Sequence, residues 1–166
     1  IVDVASGSYY SDRGKIRDHT RAQIYQIFCA RGYTVFAVRP GSRTRYTGKE
    51  MNQHIRLAIR YVKDHAAEYK IDPDRLGITG ASAGGHLATL VTVTPEEGQA
   101  DSKNSLQRHN TRVKATAVFF PPTDFLDWGG KAASLSVVGD LLFLGGLKGR
   151  SEEEILEEFQ NLIVPR

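Results

Sequence analysis

Four short apolar segments predict the framework of this chain. They lie near residues 1–5, 33–39, 76–80 and 113–120, and stretches with helical periodicity separate most of them. The second segment is β-branched, aromatic or apolar on both faces, which is typical of a strand in a parallel sheet that is covered on both sides. Strands that alternate with helices predict an α/β fold, with a mostly parallel sheet and helices on both faces.

Three helices are predicted to begin with a capping box, in which two side chains three residues apart bind each other's backbone N–H groups. The boxes are Thr20 with Gln23, Thr47 with Glu50, and Ser151 with Glu154. The helices are expected over residues 20–30, 47–69 and 151–159. Gly32 is expected to end the first helix. The apolar residues of the third helix are expected to face inward, and they are Ile155, Leu156 and Phe159.

Two further stretches are harder to assign. Residues 95–112 are polar and show no periodicity, so we expect a surface loop there. Residues 128–150 are ambiguous, and an apolar helix over 137–147 is plausible.

A Gly-x-Ser-x-Gly motif stands between the third apolar segment and another helical pattern. It reads Gly80-Ala81-Ser82-Ala83-Gly84. A serine on a sharp turn between a strand and a helix is a nucleophile elbow, and the glycines let the strand and the helix approach closely. The motif predicts Ser82 as a nucleophile with a strained, positive-φ backbone, and the Ala83 N–H as an oxyanion donor at the helix N-terminus. The alternative is a chance match in a glycine-rich turn.

Composition narrows the class of protein. The chain has 166 residues, of which 40% are hydrophobic and 25% charged, and this suits a single globular domain. The net charge of +3 is too small to indicate a nucleic-acid partner. No apolar run approaches the roughly 18 residues that a membrane span needs. Positive charge is concentrated in one loop, which contains Arg39, Arg43, Arg45 and Lys49. This loop is either solvated surface or a guide for an acidic group of the substrate.

The cysteine and the first residues add two expectations. Cys29 is the only cysteine, so an internal disulfide is excluded, and its apolar helical setting predicts a packed thiol. The chain opens with Ile1 inside an apolar run, and its only methionine is Met51. We therefore expect the native start to lie upstream, which leaves the compartment open.

Two stretches carry a resemblance to a known family. Residues 66–88, which include the serine motif, and residues 119–125, which read Phe-Phe-Pro-Pro-Thr-Asp-Phe, resemble α/β-hydrolases. The similar branch contains hormone-sensitive-lipase-like enzymes and bacterial acetyl-xylan and feruloyl esterases. The resemblance implies the strand order second, first, third, fourth. It also implies a serine carboxylic-ester hydrolase that acts through a Ser82 acyl-enzyme on short-chain acyl esters, including acetylated or feruloylated carbohydrate, without a metal or organic cofactor.

The loop after the first strand departs from this family. The family usually carries His-Gly-Gly-Gly-Trp there, whereas this chain has Ala5-Ser6-Gly7-Ser8-Tyr9. Because the oxyanion donors are backbone N–H groups, Gly7 and Ser8 remain candidates beside Ala83. The aromatic residues expected to line the substrate pocket are Tyr9, Tyr10 and Trp128. Asp124 is either the triad acid, as in some lipases of this fold, or a support for its own loop, which we favour.

The resemblance implies a base histidine and a triad acid after later strands than this chain contains. We expect both beyond Arg166, in a single α/β-hydrolase domain that is incomplete at both ends. His19 and His54 are the histidines nearest the expected crevice, and His86 on the elbow helix is expected to be a packed or a capping residue. The expected partner is a small-molecule ester, with self-association through exposed sheet edges. The alternative is a non-catalytic binding module of the same fold.

Overall fold

The computed structural model describes residues 1–125, Gly139 and residues 146–162. Trp128 and most of the apolar stretch at 137–147 lie outside the described residues. So does the side chain of Phe159.

Four strands form one sheet in which all pairs are parallel. They are β1 (Val2–Val4), β2 (Phe36–Val38), β3 (Gly77–Ala81) and β4 (Ala115–Phe119). Their spatial order is β2-β1-β3-β4, and the register pairs Val2 of the inner strand with Phe36 on one side and Ile78 on the other. This confirms the expected order of second, first, third, fourth.

Helices connect the strands and lie on both sides of the inner strand β1. They are α1 (Arg13–Arg21), α2 (Ile24–Ala30), α3 (Gly48–Asp64), α4 (Ala66–Tyr69), α5 (Ala83–Val93) and α6 (Glu152–Leu162). Two 3₁₀ turns occupy Pro73–Arg75 and Ser105–Arg108. In the described ranges, no helix is both long enough and apolar enough to cross a membrane.

The two faces of the sheet are covered in different ways. Because successive strand residues point to opposite faces, Val2 and Val4 lie on one face and Asp3 lies on the other. The valine face packs against α3 and α5 in a fully buried apolar core. Its largest fully buried apolar side chains are Val2, Val4, Met51, Ile55, Ile59, Ile78 and Leu87. Removing these apolar surfaces from water is the main force that holds the two helices on the sheet.

Asp3 connects the other face to α1 and α2. The Asp3 carboxylate is buried, and its Oδ2 atom lies 2.7 Å from Nδ1 of His19 in α1. The hydroxyl of Tyr25 in α2 donates to the same oxygen at 2.8 Å. Burying a carboxylate is costly unless hydrogen bonds compensate it. These two bonds therefore fix both helices over the inner strand.

Two of the three expected capping boxes are present. Thr47 and Glu50 bind each other's backbone N–H groups at the start of α3, at 2.8 and 3.2 Å. Ser151 and Glu154 do the same before α6, at 2.9 and 3.2 Å. The turn at Gly32 also ends α2 as expected, with a φ of 82°.

The expected box at Thr20 is wrong. Thr20 lies inside α1, where its hydroxyl donates to the Ile16 carbonyl oxygen at 2.8 Å. Asp12 caps α1 instead, since its side chain accepts from the Lys15 N–H. Gln23 takes a left-handed φ of 60° and separates α1 from α2. The charged sequence of α1 has no apolar periodicity, so the pattern of apolar residues did not predict this helix.

Three other expectations about burial and length are corrected. Cys29 is exposed rather than packed, because α2 contributes no buried residue. Leu156 is half exposed, whereas Ile155 beside it is buried. The long helix expected to reach Tyr69 is interrupted at His65, and α4 follows as a separate turn.

The segment expected as a surface loop, residues 95–112, is held against α3 by buried or half-buried charges. Arg56 and Arg60 of α3 donate to the Glu96 carboxylate at 2.5 and 3.0 Å. Lys63, one helical turn further, donates to Asn110 Oδ1 at 2.7 Å. Desolvation lowers the pKa of the Lys63 ammonium. The polar sequence of this segment therefore forms a specific contact with the helix.

Strands β2 and β4 are the outer strands of the described sheet. Phe119 at the end of β4 is 55% exposed, and Phe120 after it is 77% exposed. Open strand edges favour pairing with other chains, so self-association remains a prediction.

We predict that Glu96→Gln lowers the free energy of unfolding by about 1–3 kcal/mol, because two largely buried guanidinium groups lose their charged partner. Urea denaturation followed by circular dichroism measures this loss. Glu97→Gln is the matched control. Glu97 pairs with Arg112 at the surface, where both side chains are more than half exposed, so its loss should stay below about 0.5 kcal/mol. Equal losses in the two variants would contradict the structural role of Glu96.

We also predict that protonation of His19 makes the stability of the fold depend on pH. Its hydrogen bond to the Asp3 carboxylate raises the pKa of His19 above the ordinary value of 6.5, against the opposing effect of burial. The folded state therefore holds the His19 proton more tightly than the unfolded state. This stabilisation is fully present below pH 6.5 and is lost as the pH rises through the folded-state pKa.

The measurement is the free energy of unfolding at several pH values from 5.5 upwards. The fall with rising pH should be smaller in His19→Gln than in the natural sequence. His54→Gln is the control, because the His54 Nδ1 atom meets the Pro40 carbonyl oxygen instead of a buried carboxylate. A His19→Gln protein with an unchanged slope would show that the Asp3 contact does not retain the proton.

Candidate active site

Ser82 occupies a strained turn between β3 and α5. Its φ and ψ are 52° and −123°, a region that residues other than glycine rarely adopt. The strained backbone expected from the motif is therefore present. Such a conformation costs on the order of 1–3 kcal/mol, and it persists where surrounding contacts fix it. One such contact is the hydrogen bond from the Ser82 N–H to the Phe119 carbonyl oxygen at 3.0 Å.

Two glycines make this turn possible. A Cβ atom at Gly84 would lie 2.2 Å from the Val4 carbonyl oxygen, and a Cβ atom at Gly80 would lie 2.6 Å from the backbone of Gly84. Neither contact could relax without moving backbone. The Gly84 N–H uses the close approach to donate to the Ser6 carbonyl oxygen at 3.1 Å. The elbow and the loop after β1 are thus directly joined.

The Ala83 N–H is placed as an oxyanion donor would be. Ala83 is the first residue of α5 and is buried, and its N–H has no acceptor among the described residues. The N-terminal end of a helix carries partial positive charge from unpaired N–H groups. Ser82 itself is partly accessible. A hydroxyl and a free amide therefore lie side by side at the carboxyl edge of the sheet.

The loop after β1 closes as a tight turn over residues 7–10, which we name the Gly7–Tyr10 turn. The Gly7 N–H donates to the Tyr10 carbonyl oxygen at 2.9 Å, and the Tyr10 N–H donates back at 2.8 Å. Ser8 and Tyr9 both have left-handed φ values, 48° and 59°.

The hydrogen bonds of this turn remove Gly7 from the expected oxyanion donors. The Gly7 N–H is occupied by the Tyr10 carbonyl oxygen, because the two left-handed residues fold the turn back on itself. The Ser8 N–H has no acceptor among the described residues, so it remains a candidate beside the Ala83 N–H. The Lys15 side chain packs over Gly7, with its Nζ atom 3.1 Å from where a Cβ would lie.

The two tyrosines expected to line a pocket have different surroundings. Tyr9 is only 2% exposed, and its hydroxyl lies 2.8 Å from Nδ1 of His86, so it is part of the interior and does not line an open pocket. Burial raises the pKa of the Tyr9 phenol. Tyr10 is 38% exposed, and the Arg43 guanidinium lies 4.7 Å from its ring centre. Tyr10 therefore remains a pocket candidate, together with the basic loop.

The basic loop itself adjoins the Gly7–Tyr10 turn. The Arg43 N–H donates to the Tyr9 carbonyl oxygen at 2.8 Å, and Ser42 Oγ accepts from the Ser11 N–H at 3.0 Å. Of the four basic residues in the expected cluster, the structure places Arg43 against the turn. The sequence offered no signal for this contact, since the two loops are about 30 residues apart.

The histidine side chains form hydrogen bonds with groups other than the Ser82 hydroxyl. His19 binds Asp3, His54 binds the Pro40 carbonyl oxygen, His86 binds Tyr9, and His109 binds Asp64. His65 lies near the Tyr61 carbonyl oxygen at 3.0 Å. Within the described ranges, none of these bonds joins an imidazole to the Ser82 hydroxyl. The same part of the chain contains no group of three or more His, Cys, Asp or Glu side chains placed to hold a metal ion.

Asp124 lies on the half-buried segment that follows β4. Its neighbour Phe125 is 3% exposed and packs edge-on against the His86 ring, with centroids 4.9 Å apart. Asp124 therefore belongs to a segment that reaches the elbow helix. Its role as acid or as loop support stays a prediction.

Comparison with known proteins agrees with this geometry. The model of the BD-FAE family matches residues 1–156. Over 94 residues the chain is 34% identical to the probable carboxylic ester hydrolase LipM of Mycobacterium tuberculosis, a match that covers 57% of this chain and 21% of LipM.

Two solved structures share the fold. One is an acetyl ester-xyloside bifunctional hydrolase from Caldicellulosiruptor lactoaceticus, with a TM-score of 0.73 at 21% identity over 98% of this chain and 56% of that chain. The other is the truncated form of a carbohydrate esterase from gut microbiota, with a TM-score of 0.64 at 26% identity over 76% and 47% of the two chains. The chain thus spans about half of these solved chains and a smaller part of LipM. The parallel sheet with its helices is an α/β-hydrolase fold, and because the family model matches nearly the whole chain, the chain belongs to the BD-FAE family.

Proposed function

We propose that this chain contributes the nucleophile and the oxyanion donors of a serine carboxylic-ester hydrolase. The observation that carries the proposal is the backbone of Ser82, whose left-handed φ sets the residue at the sheet edge. Beside it lies the Ala83 N–H, which has no acceptor among the described residues. A nucleophile elbow needs this arrangement, and a chance glycine-rich turn does not. The name of the relative LipM supports the same reaction class.

In this mechanism the Ser82 hydroxyl attacks the carbonyl carbon of an ester. The Ala83 and Ser8 N–H groups donate to the oxygen that becomes negative in the tetrahedral intermediate. The alcohol leaves with a proton, and Ser82 keeps the acyl group until a water molecule attacks it and restores the hydroxyl. A histidine must accept and return the proton in each half of the reaction.

We propose that this histidine and its acid partner are supplied from beyond Arg166. The proposal rests on the hydrogen bonds described above, because the described imidazoles bind other groups. Asp124 is the acid candidate inside the described residues, and we favour its role as loop support.

For the substrate we propose short-chain acyl esters, with acetylated or feruloylated carbohydrate as the preferred class. Two neighbours with carbohydrate-related names support this choice, the acetyl ester-xyloside hydrolase and the carbohydrate esterase. The partly exposed Tyr10 ring offers an apolar surface for an acyl or sugar group.

The second candidate is a binding module of the same fold without catalysis. The position of the histidines favours it, since a serine without a base is a weak nucleophile at neutral pH. The two candidates differ in one observable property, which is Ser82-dependent turnover by the natural protein that contains this chain.

We predict that Ser82→Ala in that natural protein lowers kcat for p-nitrophenyl acetate by about 10⁴–10⁶-fold. The free energy of unfolding should change by less than about 0.5 kcal/mol, because the lost hydroxyl is partly accessible and contributes little packing. Ser105→Ala is the matched control, since its hydroxyl binds Asp64 far along the chain from the elbow, and it should keep full activity. Ser82→Ala activity equal to the natural protein would rule out the esterase mechanism.

The 166-residue chain alone should be nearly inactive towards the same ester. Oxyanion donors and a serine without its base leave only a small residual acceleration. The measurement compares this chain with its Ser82→Ala form. Strong turnover that depends on Ser82 would place the base within these residues, and His19 or His54 would then be the candidates to test.

A further inference from the structure

We propose that Tyr9 and His86 are positioning residues, and that their buried hydrogen bond holds the Gly7–Tyr10 turn against the elbow helix so that the Ser8 N–H faces the same point as the Ala83 N–H. The catalytic part of this inference rests on the proposed function. The mechanical part, that this bond fixes the turn, stands on the geometry alone.

The Tyr9–His86 bond is buried. His86 is fully buried and Tyr9 is 2% exposed, and the phenol oxygen lies 2.8 Å from Nδ1 of the imidazole. The two rings meet edge-to-face, with centroids 5.8 Å apart and an angle of 78° between the planes. Because burial raises the pKa of the Tyr9 phenol, the hydroxyl keeps its proton and can donate it to Nδ1.

Each of the two residues lies near one candidate oxyanion donor in the sequence. Tyr9 follows Ser8 directly, so the position of its ring constrains the peptide that carries the Ser8 N–H. His86 lies one helical turn after Ser82, and its N–H donates to the Ser82 carbonyl oxygen at 2.9 Å. One side-chain bond across 77 residues therefore joins the two segments that must converge on an oxyanion.

The turn needs such a tie because its own backbone is unfavourable. Ser8 and Tyr9 are both left-handed and neither is glycine, and this conformation costs on the order of 1–2 kcal/mol per residue. Strained backbone conformations persist where several surrounding contacts hold them in place. The bond from Gly84 holds Ser6 before the turn, and the Arg43 N–H holds the Tyr9 carbonyl oxygen. The bond to His86 holds the Tyr9 side chain.

His86 is supported in turn by the segment after β4. Phe125 packs edge-on against its ring at 4.9 Å and an angle of 88°, and Phe125 is itself 3% exposed. The imidazole plane is therefore fixed from two directions, by Tyr9 and by Phe125. This fixed plane aims Nδ1 at the Tyr9 hydroxyl.

The test uses Tyr9→Phe in the natural protein that contains this chain, because this change removes the hydroxyl and keeps the ring. Amide hydrogen exchange of the peptide that covers the Gly7–Tyr10 turn should become at least about tenfold faster. The kcat for p-nitrophenyl acetate should fall about tenfold, with KM nearly unchanged, because oxyanion donors act on the transition state more than on the bound ester.

Tyr25→Phe is the matched control. It also removes a phenol hydroxyl that donates to a buried acceptor, the Asp3 carboxylate at 2.8 Å, but on the other face of the sheet. It should leave both kcat and exchange at the Gly7–Tyr10 turn unchanged. Equal effects of Tyr9→Phe and Tyr25→Phe would show general destabilisation and would overturn the proposal.

Variants of His86 provide the second arm. His86→Leu should lower kcat at least as much as Tyr9→Phe, because it also removes the ring contact with Phe125. The double variant should be no worse than His86→Leu alone, since the Tyr9–His86 bond is already lost there. His86→Asn, whose Oδ1 atom can replace Nδ1 as acceptor, should recover part of kcat and part of the exchange protection. Additive losses, or no recovery in His86→Asn, would count against the bond as the cause.

The two proposals fail in different ways. If the natural protein shows no Ser82-dependent turnover, the esterase proposal fails, and exchange at the Gly7–Tyr10 turn still decides whether the bond fixes the turn. If turnover depends on Ser82 but exchange and kcat are unaffected by Tyr9→Phe, the positioning proposal fails and the esterase proposal stands.

Discussion

Helix α5 meets the sheet so closely at Gly84 that the Val4 carbonyl oxygen occupies the space where any other residue would carry its Cβ. This contact determines how the rest of the site is arranged. It lets the helix begin immediately after β3, so that Ser82 must turn sharply and take a left-handed φ. It also brings the Gly84 N–H onto Ser6, which ties the loop after β1 to the first turn of the helix. The positions of Ser82, the candidate nucleophile, and of the Ser6 loop beside it both follow from this backbone contact.

Local signals in the sequence predicted much of this arrangement. The elbow is encoded within five residues, and its glycines have a steric meaning that does not depend on distant parts of the chain. The boxes at Thr47 and Ser151 are equally local, because partners three residues apart satisfy each other. The strand order came from the family resemblance, and the observed sheet confirms it.

The contacts that the sequence did not predict are long-range or lack a residue signature. The Gly7–Tyr10 turn places Ser8 and Tyr9 at left-handed φ, positions where glycine or asparagine would have given a signal. The Tyr9–His86 bond joins residues 77 apart, and neither residue type marks its partner. Helix α1 escaped notice because its cap, Asp12, has Lys15 three residues later in place of an acid or amide. A polar helix carries no apolar periodicity that would mark its position in the sequence.

The unequal covering of the sheet has a consequence for how the domain opens. One face is covered by apolar side chains, and each contributes about 1.5–3 kcal/mol to the stability of the fold when it is buried. On the other face, α1 and α2 contribute no buried residue and contact the Asp3 carboxylate of β1 through His19 and Tyr25. Hydrogen bonds of this kind contribute about 1–3 kcal/mol each. The two helices therefore form a separate cooperative unit whose release needs less free energy than global unfolding. Among the described residues, a protease that samples partly opened molecules would cut between residues 13 and 30 while the elbow remained folded.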